Sequence, residues 1–140
     1  MNSIGGLGSP LWKADVPPHF LAPGSVAEKA VAIVESIVFL ININLEVMVS
    51  TGVNVKRISV SGGLAGLDQL CQRLADLSQR VVVRSHIRQA TARGIAWLAS
   101  GSGAGWTDGN GNGRGDYFMP RSNRGLQARY RRFCTAVGWR

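Results

Sequence analysis

Apolar positions recur with a helical period from residue 26 onward. Residues 26, 30, 33, 34, 37, 38, 41, 45 and 48 share one face and predict a helix of about six turns. Ser25-Val-Ala-Glu28 has the spacing of a capping box at its start. Gly52 stands where a left-handed cap would end it. Ala27, Ala32, Phe39, Leu40 and Ile43 fall between the stripe positions, which predicts cover on more than one side.

The pattern then changes period. Residues 56–61, Lys-Arg-Ile-Ser-Val-Ser, alternate and predict a strand. Gly62-Gly63 turns the chain into a second helix, roughly 65–79, with Leu67, Leu70, Cys71, Leu74 and Leu77 as its stripe. Residues 81–83 predict a short buried strand, and residues 91–99 a helix packed through Ala92, Ile95, Ala96 and Ala99.

The flanks are less regular. Residues 1–24 are rich in Gly and Pro and read as extended loop, with Trp12 and Phe20 expected as packed anchors. Residues 100–116 form a Gly-rich loop, and residues 117–120 an extended clip. A last helix, capped by Ser122 or Asn123, runs to about 137 with Leu126, Tyr130, Phe133 and Val137 on one face.

The order helix, strand, helix, strand, helix over 25–99 defines an α/β core with parallel strands and a right-handed crossover. Two strands make a poor sheet, so part of the sheet is expected to be missing, with an open edge.

Composition adds limits. At 140 residues and 45% apolar content, the chain is one globular domain or part of one. The formal charge is +8, and after Asp116 every charged side chain is an arginine: 121, 124, 129, 131, 132 and 140. Such a block reads as a solvated helix face or as a grip for phosphates, nucleic acid or anionic lipid. Cys71 and Cys134 lie outside any disulfide or zinc spacing, and Cys71 falls on an apolar stripe as a buried thiol. The N-terminus has no basic region followed by an apolar run, so a cytoplasmic protein is expected. Glu28, Lys29, Glu35, Asn42, Asn44 and Glu46 interrupt the long apolar helix, which points to a soluble core element rather than a membrane span.

Candidate chemistry is sparse. The eight carboxylates offer no acid–base pair; Asp68 and Asp76 share one helix as expected cap and surface residues. His19 and His86 have no nucleophile to serve. Asp108-x-Asn110-x-Asn112-Gly113 opens like a calcium loop, but Met119 holds the twelfth position where a bidentate Glu is required, so no metal site is expected. Arg114-Gly115-Asp116 spells an integrin tripeptide, taken as coincidence without a secretion signal. Val60-Ser61-Gly62-Gly63 leaves a strand for a helix; bare glycine amides there suit either a phosphate or a tight turn.

Ser61-Gly62-Gly63, Asp68 and Leu74-Ala75-Asp76 resemble the second nucleotide-contacting segment of FGGY carbohydrate kinases. The resemblance continues in Thr91-Ala92-Arg93-Gly94-Ile95-Ala96-Trp97-Leu98-Ala99, backwards through Gly6-Leu7-Gly8-Ser9-Pro10-Leu11-Trp12, and forwards into Phe118-x-Pro120 and Tyr130. It is most like glycerol kinase and covers nearly the whole chain. It implies a partial ribonuclease-H-like, actin-like ATPase domain, the C-terminal half of the kinase's second lobe. It also implies ATP or ADP with Mg as ligand, with Gly62 and Gly63 nearest the phosphates.

Leu67 stands where the family places Asn or Ser, Gln89 where Glu is common, and Leu11 where Tyr is usual. The first phosphate loop, the catalytic Asp, the Asp-x-Gly-Thr segment and the sugar-facing residues have no counterpart. The resemblance thus implies no catalytic residue in this chain and no activity alone. Its expected partners are a nucleotide and a first lobe, or a second copy across the open edge, but no membrane. The rival function is an anion- or nucleic-acid-binding module built on the Arg-rich helix.

Overall fold

The computed structural model describes residues 6–86, 89–101 and 115–139. Its elements are α1 (Val26–Ser50), β1 (Arg57–Val60), α2 (Asp68–Ser78), β2 (Val81–Ser85), α3 (Ala90–Ala99), β3 (Gly115–Phe118) and α4 (Arg124–Val137). A 3-10 turn, Gly63–Gly66, lies between β1 and α2. The second helix therefore starts at Asp68, later than the pattern predicts.

Among the described residues the sheet has three strands, in the order β1-β2-β3. β1 and β2 are parallel, with Ile58 opposite Val82 and Val60 opposite Arg84. β3 is antiparallel to β2, with Val82 opposite Phe118 and Arg84 opposite Asp116. The two-strand expectation is corrected here. The start of the expected clip, together with the end of the Gly-rich segment, is an edge strand. Gly115 permits it: a Cβ there would lie 2.6 Å from the Arg84 carbonyl oxygen.

α1 packs on α2, α2 covers the sheet, and α4 rests against both helices. Val38, Ile43, Leu74, Val82 and Leu126 are fully buried between these layers. Phe39 packs against Tyr130 and Phe133 in tilted pairs, ring centres 5.5 and 5.3 Å apart, joining α1 to α4. The capping box forms as expected, Ser25 N donating to Glu28 Oε2 at 2.8 Å and Glu28 N to Ser25 Oγ at 3.3 Å. Gly52 takes φ +90° just past α1. Asn123, not Ser122, caps α4 by accepting from Leu126 N at 3.0 Å.

Several burial expectations are corrected. Val26, Ile33 and Met48 of the face predicted for α1 are exposed, because α2 and α4 meet only one face of its later turns. α3 buries none of its residues, and Ile95 is 62% exposed. Periodicity identifies an amphipathic face but not whether this chain supplies its cover. Trp12 is 77% exposed and Phe20 is also exposed; Leu7, bridged to Lys13, anchors the N-terminal segment instead. Leu67 precedes α2 and is exposed rather than part of the stripe.

One ion cluster ties the helices together. Glu35 of α1 is only 2% exposed. It accepts from Arg73 Nε at 3.0 Å and from Arg129 Nε and Nη2, both at 2.7 Å. Burial alone would raise the Glu35 pKa, but the hydrogen bonds from Arg129 and then Arg73 outweigh it and hold the carboxyl below its ordinary range.

Glu35 thus ionises at lower pH in the folded chain than in the unfolded one. Its contribution is complete above the ordinary glutamate pKa of about 4.3 and is lost as the pH falls toward the folded value. Urea unfolding between about pH 6 and 3 should show part of the acid loss disappear in Glu35→Gln. Glu35→Ala should cost about 2–3 kcal/mol at neutral pH, below the range for a fully buried pair because both arginines reach solvent.

Candidate functional site

Parallel strands end together, and ligands of open α/β sheets gather beyond their carboxyl ends. Here that place is the turn after Val60, beside Arg84 of β2. Gly62 has φ 94° and ψ −177°, a conformation essentially reserved for glycine. A Cβ on either Gly62 or Gly63 would meet nothing within 4 Å. The corner is therefore open to a ligand that must approach main chain closely. Within the 3-10 turn, Ala65 N bonds to Gly62 O at 3.2 Å and Leu67 N to Leu64 O at 3.1 Å. The leading amides of such a turn have no partner in its own ladder. These features fit a phosphate group.

Arg84 closes the corner from below. Its Nη1 donates to Ala65 O at 3.1 Å and to Asp68 Oδ1 at 2.6 Å. Its Nε and Nη2 reach Asp116 Oδ2 at 2.9 and 2.7 Å. The guanidinium also lies 5.2 Å from the centre of the Phe118 ring. The hydrogen bonds it donates to Asp116 first, then to Asp68, raise its already high pKa. Cys71, buried beneath the turn, donates its thiol to the same Ala65 oxygen at 3.4 Å. Burial pushes that thiol's pKa up, as expected of an inert core cysteine.

Other residues singled out in the sequence lie elsewhere. Asp76 is not a surface residue: it is buried, and Oδ1 accepts from Gln72 Nε2 at 2.7 Å and from Arg121 N at 3.0 Å. It thereby fixes the segment between β3 and α4. Asp68 is exposed but paired to Arg84, across 16 residues of sequence. His19 lies in the N-terminal segment, where its Nδ1 is 3.0 Å from Pro17 O. Asp108, Asn110, Asn112 and Arg114 lie outside the described residues. Among the described residues, no three His, Cys, Asp or Glu side chains gather as a metal site.

A cavity of about 280 Å³ opens between α1, α4 and the chain around residue 20, lined by Phe20, Lys29, Glu35, Phe39, Arg129 and Phe133. It shares no residue with the glycine corner and is lined instead by Glu35 and Arg129 of the ion cluster. The Arg-rich helix is partly committed: Arg129 is bound to Glu35, and Tyr130 donates its hydroxyl to Glu46 Oε1 at 2.7 Å.

A small sheet with an open strand edge, backed by helices, has the actin-like ATPase architecture in part. The sequence pattern of the FGGY family of carbohydrate kinases, C-terminal domain, matches residues 2–102, and the chain belongs to that family. Among the solved structures that share the fold are two from Lactobacillus acidophilus. A ligand-bound xylulose kinase superposes with a TM-score of 0.66 at 20% identity, covering 96% of this chain and 29% of that one. A gluconate kinase gives 0.65 at 20% identity, covering 96% and 28%. The chain thus spans less than a third of either kinase. No curated protein matches it.

The two glycines should respond differently to an added methyl. Gly62→Ala forces a forbidden backbone and should lower stability in urea unfolding by about 1–3 kcal/mol. Gly63→Ala has ordinary φ and open space, and should change stability by less than about 1 kcal/mol.

Proposed function

We propose that this chain is the nucleotide-facing part of an ATP-dependent, glycerol-like carbohydrate kinase, with Gly62 and Gly63 against the phosphates of ATP or ADP. The observation that carries this reading is the open glycine corner at the carboxyl ends of β1 and β2, in a chain of a carbohydrate kinase family. Bound Mg–ATP would supply the phosphoryl group; the chain's part is to receive the polyphosphate on bare main-chain amides. Phosphoryl transfer also needs a base, a metal and donors on the far side of the phosphates. None of the family's first-lobe motifs has a counterpart in the sequence, so the chain alone binds and does not turn over.

The matching partner is a first lobe carrying those groups. β1 is an edge strand of the sheet, which supports a chain that continues or pairs there. A cytoplasmic setting follows from ATP use. The α1 segment is long and apolar enough to span a bilayer, but it belongs to the family's domain, holds Glu35 inside, and packs on α2 and α4.

The rival, nucleic-acid binding by the Arg-rich helix, is supported by exposed Arg124, Arg131 and Arg132. It is weakened by Tyr130 and Phe133, which pack against Phe39 in the core instead of offering faces to bases.

Titration calorimetry with Mg–ATP separates the readings. Binding by the full chain, weakened about tenfold or more in Gly63→Ala at unchanged stability, is the expected result. Binding to a DNA oligomer with a steep salt dependence, and none to ATP, would favour the rival. Turnover of glycerol by the pure chain would contradict the claim that it is inactive alone.

A further inference from the structure

Arg84 is the residue that the corner rests on, and no sequence motif announced it. Its side chain joins four separate pieces of chain. It starts from β2, reaches the 3-10 turn at Ala65 O and the first residue of α2 at Asp68, and crosses to β3 at Asp116. Ala65 lies two residues beyond Gly63, so the bond to its carbonyl fixes the turn that carries the open amides. β3 is brought within reach because Gly115 leaves no Cβ to collide with the Arg84 carbonyl.

Charge points the same way. Asp68 and Asp116 place two carboxylates beside the turn, and like charge repels a polyphosphate. Arg84 meets both through short, charge-assisted hydrogen bonds. Without it the corner would carry both negative charges uncompensated, on a turn freed from one of its anchors.

We propose that Arg84 is the positioning residue of the Gly62–Gly63 corner, holding the turn in the shape a polyphosphate meets and offsetting the carboxylates beside it. This rests on the nucleotide reading of the corner. Arg84 acts through the turn and need not touch the nucleotide.

The test uses the full chain as wild type, Arg84→Ala, Arg84→Lys and Asp116→Asn. Amide hydrogen exchange of residues 62–67 is followed without ligand, and Mg–ATP affinity by calorimetry well below the melting temperature. Arg84→Ala should speed exchange at Ala65 and Leu67 and weaken Mg–ATP binding about tenfold or more. Arg84→Lys keeps the charge but not the fork, and should fall between. Asp116→Asn keeps the link to Ala65 and removes a negative charge, so it should lose thermal stability yet hold affinity within about threefold.

A merely structural bridge would make Asp116→Asn and Arg84→Ala lose affinity alike, and that result would overturn the proposal. So would unchanged exchange at 62–67 in Arg84→Ala, or, should that variant not fold, in Arg84→Lys. Wild-type protein that binds no Mg–ATP would sink the nucleotide reading, while the exchange data would still decide whether Arg84 holds the turn.

Discussion

The buried carboxylate of Glu35 organises the helical layer. Glu35 sits on α1, yet its partners come from α2 and α4, 38 and 94 residues further along the chain. An ionised carboxylate is tolerated in a core only when it is paired and hydrogen-bonded. Glu35 meets both conditions, so the three helices can adopt few arrangements that keep it satisfied. The apolar residues around it supply most of the driving force, and the ion cluster selects the register in which they close.

That layer determines where α2 lies, and α2 determines where the glycine corner opens. Cys71 and Leu74 are buried, so the start of α2 is pinned against the core while Asp68 points outward. The 3-10 turn is then held between Cys71 and Arg84, both donating to Ala65 O. Between those anchors Gly62 adopts a backbone that other residues avoid. The result is an open stretch of main chain at the carboxyl ends of parallel strands. It is well suited to an anion.

Much of this was legible in the sequence, for reasons that can be named. The start and end of α1 follow from Ser25, Glu28 and Gly52, whose chemistry is local. The Gly-Gly turn was visible because the backbone at Gly62 demands that residue type. What stayed hidden depends on distant partners. β3 is four residues with no alternating run long enough to betray it, and its pairing is made possible by one glycine. Asp76 reads as a surface residue until Arg121 arrives from 45 residues away. Arg84 looks like any strand-end arginine, since its partners lie 16 and 32 residues away in opposite directions. The stripe on α3 misled in the other direction: its periodicity is real, but the described chain leaves it uncovered.

The central claim is that a polyphosphate meets the main chain at Gly62 and Gly63. Titrating the isotopically labelled chain with Mg–ADP while following its amide resonances tests it most directly. The account predicts the largest changes at Gly62, Gly63 and Leu64, with the arginines of α4 unmoved. Changes confined to α4, or none at the glycines at saturating nucleotide, would contradict it.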